Sequence, residues 1–270
     1  MNPEVIQPDR GILHARLGRQ TFRLIRYAPS PDLSRFVRHY WIVRWDLRGK
    51  EPYNQEILQY PCVNLVFEEG NTRIYGVNTG KSVKVLEGKG CALGIMFQPG
   101  GFYPFYRNPI SALTDRSIDG RRVFGNETDE AERDILSATS DQDMVARAEK
   151  LLRDQLPETD ELAETVGRIV DEIIIDRDIV KVDDVVAKFG INKRTMQRLF
   201  KQYVGVSPKW VIQRSRIHEA ALRAADGDTP DWAKLAADLG YFDQAHLIKD
   251  FKKLIGCSPD EYTKQTAGTR

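Results

Sequence analysis

Between residues 20 and about 115 the apolar positions come in short β-branched and aromatic runs: FVRHYWIVRW, CVNLVFEEG, RIYGVNTG, SVKVLEGKG and CALGIMFQPGG. Runs of this length, split by turn residues, predict an antiparallel β region. The period then changes. Ile135, Val145, Ala148, Leu151 and Leu152, and after them Val166, Ile169, Val170 and Ile173, recur at helical spacing with a break at Pro157. Acidic helices are therefore expected there. From about Asp178 short apolar helices alternate with glycine stops. The expected fold class is α+β, with a β-rich region over 1–120, an acidic helical connector over 121–177 and an all-α region over 178–270.

The last region carries one pattern twice, as GINKRTMQRLFKQYVGVSP from Gly190 and GYFDQAHLIKDFKKLIGCSP from Gly240. In the first copy DDVVAKFG stops at Gly190, Asn192 is placed to cap the next helix, and Gly205 to end it. In the second, Thr229 is placed to cap and Pro230 to open DWAKLAADLG, Asp243 caps QAHLIKDFKKLIG, and Gly256 ends it. Each copy thus reads as helix, tight turn, helix, with one extra residue in the second turn. Between them SPKWVIQRSRIHEAALRAA predicts a long helix capped by Ser207 with Pro208 at its first position. At about 1.5 Å per residue, its ~17 helical residues span ~26 Å.

Within each copy the second helix has two unlike faces. Met196, Leu199, Phe200 and Tyr203 fall on one side, and Lys193, Arg194, Gln197, Arg198 and Lys201 on the other. In the second copy Leu247, Phe251, Leu254 and Ile255 point inward, while Gln244, Ala245, His246, Lys249, Lys252 and Lys253 point outward. Guanidinium and amide groups suit paired hydrogen bonds to guanine and adenine edges, and an α-helix fits the major groove. The net charge of +1 hides a segregation that sharpens this picture. Residues 191–218 hold seven bases and no acid (Lys193, Arg194, Arg198, Lys201, Lys209, Arg214 and Arg216), whereas 121–176 hold sixteen acids against seven bases. A basic stripe is either a solvated face or a phosphate footprint. The acidic helices, in turn, either hold the two halves at a fixed angle or lie on the stripe and mask it.

With AADLGYFDQAHLIKDFKKLIGCSPDEY as its most specific element, the stretch from about 178 to 263 resembles the AraC/XylS family of bacterial transcription regulators. The resemblance implies two recognition helices in successive major-groove segments on one side of the DNA, joined by the long helix. It places base reading on Arg194, Gln197 and Arg198 in the first copy, with Lys193 and Lys201 suited to phosphate, and on Gln244, Ala245, His246 and Lys249 in the second. Phe242 departs from the small polar residue common in the family, and Ala245 and Ile248 cannot donate a hydrogen bond. The second helix is therefore expected to position more than it specifies, through Lys249 and its N-terminus on phosphate. His246 reads equally well as a packing histidine. Upstream, PSPDLSRFVRHYWIVRWD and GIMFQPGGFYPFYRNPISALTDR resemble the β-rich sensor-like domain attached to a subset of these regulators, without implying its ligand. Trp41, Trp45, Phe67, Tyr75, Phe97, Phe102 and Phe105 are candidates either to line a small-molecule cavity or to form plain core. Double-stranded DNA is the implied partner; RNA polymerase, a small-molecule effector and a second copy of the chain stay open.

Other classes fit less well. No apolar run nears the roughly 20 residues of a membrane span, and the first residues lack the apolar segment of a signal peptide, so a cytoplasmic, nucleoid-bound protein with no membrane partner is expected. The cysteines, Cys62, Cys91 and Cys257, are scattered, and His14, His39, His218 and His246 include no pair at metal-ligand spacing. No catalytic residue, metal or cofactor is therefore expected. Some DNA-alkylation repair proteins join such a reader to a zinc-bound cysteine cluster, but the first half here has only Cys62 and Cys91. A protein-binding adaptor is the remaining alternative, and the acid-free face opposes it.

Overall fold

The computed structural model describes residues 2–5, 11–225 and 230–267. After a short helix α1 (Ala15–Thr21), the β region comprises β1 (Phe22–Tyr27), β2 (Val37–Asp46), β3 (Tyr53–Ile57), β4 (Asn64–Phe67), β5 (Arg73–Tyr75), β6 (Ser82–Leu86), β7 (Lys89–Phe97) and β8 (Ser117–Asp119). Six of them form one antiparallel sheet in the order β1-β2-β7-β4-β5-β8, while β3 pairs with β6. Trp41 on β2 faces Gly94 on β7, and a Cβ at Gly94 would sit 1.9 Å from the Trp41 ring. That close approach is open only to glycine.

Between β7 and β8 lies α2 (Tyr103–Tyr106), and after β8 come α3 (Arg121–Phe124), α4 (Glu127–Ser137) and α5 (Asp141–Asp154). Alternation puts Tyr40 and Ile42 of β2 into the first core, where Leu65, Phe67, Leu93, Ile95 and Phe97 meet Ile135 of α4 and Val145, Ala148 and Leu152 of α5. Phe67, Phe97 and Phe102, three of the candidate cavity aromatics, are buried in this core. Trp41 and Trp45 are half-buried instead, their indole N–H groups donating to Asn64 Oδ1 (3.2 Å) and the Glu87 carbonyl (2.9 Å). Glu149 of α5 shows how the acids are accommodated. Burial alone would raise its pKa, but donors from Ser30, Asn2 and Arg153 outweigh that and hold the carboxyl below its ordinary value.

The acidic helices do not stay together. α6 (Glu161–Ile175), capped by Asp160, leaves the first core and buries Val166, Ile169, Val170 and Ile173 in a second core with Val185, Met196, Leu199 and Phe200. The stretch expected to connect the halves therefore contributes its last helix to the α-helical half. Its acids face arginines of the β region, Asp171 with Arg38 at 2.8 Å and Glu164 with Arg35 at 3.8 Å.

The remaining helices are α7 (Val182–Phe189), α8 (Lys193–Tyr203), α9 (Pro208–Ala225), α10 (Trp232–Asp238), α11 (Gln244–Ile255) and α12 (Pro259–Ala267). α9 is the expected long helix, with the Ser207 hydroxyl accepting from the Trp210 N–H at 3.2 Å and Pro208 at its first position. The start of α10 differs from expectation. Asp231 caps it, accepting from the N–H groups of Ala233 and Lys234, so Pro230 precedes the cap; Thr229 lies outside the described residues. A third core joins α9 to α12 through Ile217, Ala221, Trp232, Leu235, Leu247, Phe251 and Tyr262.

Candidate nucleic-acid interface

α7 and α8 form the first helix pair. Gly190 turns the chain in the left-handed region (φ 64°), and Asn192 then caps α8 by accepting from the Thr195 N–H at 2.9 Å. Met196, Leu199, Phe200 and Tyr203 are buried, while Lys193, Arg194, Gln197, Arg198 and Lys201 are exposed along the opposite side. Lys193 pairs with Asp183 at 3.1 Å. Among the described residues, Arg194, Gln197, Arg198 and Lys201 have no hydrogen-bond or ion-pair partner, so four donor-bearing side chains stand free in solvent. At the inner edge burial, and then the Asp160 carboxylate that accepts its hydroxyl proton, push Tyr203 up to about 12.

α10 and α11 repeat the arrangement. Gly240 makes the same left-handed turn (φ 68°), and Asp243 caps α11 by accepting from the His246 N–H at 2.7 Å. Leu247, Phe251 and Ile255 are buried; Gln244, Ala245, His246, Lys249, Lys252 and Lys253 are exposed. His246 divides its role, its ring edge-on to Tyr241 at 5.2 Å and its Nε2 3.9 Å from Asp250 while half its side chain remains in solvent.

A family model described as a helix-turn-helix domain matches residues 185–265, which run from α7 into α12. The C-terminal part of the chain is an AraC-type helix-turn-helix domain. A second family, a domain of unknown function (DUF6597), matches residues 25–119, the span of the β region. YkgA of Escherichia coli (strain K12) is 30% identical over 83 residues, 31% of this chain and 34% of that protein. MtrA of Neisseria gonorrhoeae, an HTH-type transcriptional regulator, is 28% identical over 102 residues, 37% of this chain and 33% of that protein. The chain thus matches about a third of the length of these relatives. Among solved structures, ToxT from Vibrio cholerae O395 aligns with 92% of this chain and 99% of its own at 12% identity, with a TM-score of 0.39.

The β region grips the helix-turn-helix domain from behind both α8 and α11. Thr114 donates its hydroxyl to the Gly205 carbonyl, just beyond α8, at 2.7 Å, and the Tyr103 ring packs tilted against Tyr203 with centroids 4.4 Å apart while its hydroxyl accepts from Gln202. At α11 the Lys81 ammonium donates to the carbonyl of Ile255 at 2.8 Å, where a cation suits the negative end of the helix dipole. Leu13 and Leu58 complete the third core, and the His14 N–H donates to the Tyr262 hydroxyl at 3.2 Å.

Two arginines of the acid-free run turn inward rather than to the outer face, and the first of them, Arg214, serves this grip. Arg214 is 2% exposed; it donates to the carbonyls of Asn78, Thr79 and Gly80 and stacks over Trp210 at 4.4 Å. Burial lowers its pKa to about 10, which leaves it charged at neutral pH. Arg216 donates to the Val180 carbonyl and lies over Tyr241 at 5.3 Å. Nor do the acidic helices lie on the outer face of α8. Glu172 and Asp176 reach Lys188 on α7, and the remaining acids of α6 described above pair with Arg35 and Arg38. These acids therefore leave the outer face of α8 uncovered.

Burial pushes the Cys62 thiol up to about 12 and raises Cys91 and Cys257 as well, the opposite of an activated thiolate. No group of three or more His, Cys, Asp or Glu among the described residues is placed to hold a metal ion.

Proposed function

We propose that the protein is a sequence-specific DNA-binding transcription regulator, working in the cytoplasm and using α8 and α11 as two recognition helices in successive major-groove segments. The observation that carries this reading is the free outer face of α8, where Arg194, Gln197, Arg198 and Lys201 are exposed and unpartnered above a buried inner face of Met196, Leu199, Phe200 and Tyr203. In this reading Arg194, Gln197 and Arg198 meet base edges and Lys193 and Lys201 meet phosphate. Gln244, Ala245, His246 and Lys249 are the corresponding set on α11, with Lys249 on phosphate. α9, at 18 residues, gives a strut of about 27 Å between the two units. Functionally the chain divides into a β region that holds both units, residues 1–120, acidic helices that brace the junction, 121–177, and the DNA reader beyond. A small-molecule effector would act most directly at the seam, where a cavity of about 210 Å³ is lined by Tyr60, Pro61, Ile173, Arg177, Ser215 and Glu219.

The reading is tested by substituting the free face. Arg194→Ala or Arg198→Ala is expected to weaken binding to a selected DNA site by about 1 to 3 kcal/mol and to relax the preference at one or two base pairs. Equal weakening on every sequence would mean that these side chains touch phosphate only. Affinity of the intact chain for DNA that does not fall with rising salt would refute the function itself, since phosphate contacts release counterions.

A further inference from the structure

We propose that Phe242 is a base-reading residue, its ring meeting thymine C5-methyl groups in the major groove beside α11, so that the second helix-turn-helix unit specifies by apolar contact where the first uses hydrogen bonds. The proposal rests on the DNA-binding reading above and extends it to a residue and a class of base.

The turns of the two units are unequal. In the first unit Gly190 is followed by Ile191 and the cap Asn192; in the second Gly240 is followed by Tyr241, Phe242 and the cap Asp243. Ile191 packs against the second core, which includes Met196, four residues past the cap. An apolar residue just before a helix cap commonly packs in this way against the fourth helical residue. In the second unit that position is Leu247, which is buried, yet Phe242 does not cover it and is 93% exposed. The inward role has passed to Tyr241, buried in the third core with Arg216 over its ring and the His246 edge against it. The extra residue of the turn is thus a whole phenyl ring carried outward, and among the described residues no other ring is paired with it.

Its position decides what the ring meets. Phe242 comes two residues before Gln244, the first residue of α11, and the N-terminal end of a recognition helix is the end that reaches base edges. Gln244, Ala245, Lys249, Lys252 and Lys253 are exposed on the helix that follows, so the ring sits beside a basic, donor-bearing surface suited to a duplex. Ala245, which cannot donate a hydrogen bond, is itself suited to a thymine methyl, and apolar contact with that methyl is the readout open to both side chains.

The test uses the full chain and a DNA site obtained by in-vitro selection with it. Thymines in the segment protected by α11 are replaced singly by deoxyuridine, which removes only the methyl, and binding is measured for the wild type and for Phe242→Ala. One buried methyl is expected to change affinity about fourfold. The wild type should lose about that factor at one or two positions, and Phe242→Ala should lose it on the unmodified site and show no further loss on deoxyuridine. Equal sensitivity of both proteins to deoxyuridine, or a selected segment without thymine, would overturn the assignment. So would a Phe242→Ala protein that binds DNA as the wild type does but activates transcription less, because the ring would then face a protein partner. Melting of the variant should match the wild type, as the side chain is almost wholly exposed. A wild-type chain that selects no sequence would instead defeat the parent reading, and this one with it.

Discussion

Phe200→Ala and Phe251→Ala are each expected to lower stability by about 3 to 5 kcal/mol, the range for truncating a buried aromatic ring. Both rings have no solvent exposure. Phe200 lies on the inner face of α8 among Met196, Leu199 and Tyr203, and α6 closes over the same core with Val166, Ile169 and Val170. Phe251 sits edge-on to Tyr262 at 5.8 Å in the third core. Truncating either ring leaves a cavity in a packed core, and the surroundings relax only partly to fill it. A thermal melt should show a fall on the order of 10 °C for each variant. DNA binding should fall with the folded fraction, and unchanged melting would refute the assignment of these faces.

A larger effect is expected from where the chain is cut. A fragment beginning at Asp178 discards α6 and with it Val166, Ile169, Val170 and Ile173 from the second core. At about 1.5 to 3 kcal/mol for each buried aliphatic side chain, roughly 6 to 12 kcal/mol is removed, as much as the whole stability of an ordinary domain. Such a fragment should not melt cooperatively and should bind a selected site more weakly than the full chain at every salt concentration. One beginning near Glu158 keeps α6 and its cap Asp160, and should recover a cooperative transition. Tighter binding by the shorter fragment at low salt, converging with the full chain as salt rises, would contradict this and restore masking by the acidic helices.

The inner and outer faces of α8 and α11 were legible because an apolar stripe at period 3.6 over a capped helix leaves one arrangement that buries it. Asn192 and Asp243 were readable caps for the same local reason. α6 was harder. Its stripe announced a buried side, but periodicity does not say against what, and its acids suggested a solvated spacer. Arg214 was misread as part of an outward stripe because the three carbonyls that hold it come from residues 78–80, more than 130 positions away. Asp231, rather than Thr229, opens α10 because two residues able to cap stand within three positions, and local chemistry alone does not rank them. Whether the aromatics of the β region line a cavity or fill a core was a question of packing density, which a sequence pattern does not contain; Phe67, Phe97 and Phe102 belong to the core.

The central claim is that two recognition helices, held at a set distance by α9 and gripped from behind by Thr114 and Lys81, read one face of the duplex. Hydroxyl-radical footprinting of the full chain on its selected site tests it most directly. Two protected segments on the same face, centred about one helical turn or ~34 Å apart, are the predicted result. A single protected segment, or two on opposite faces, would contradict it.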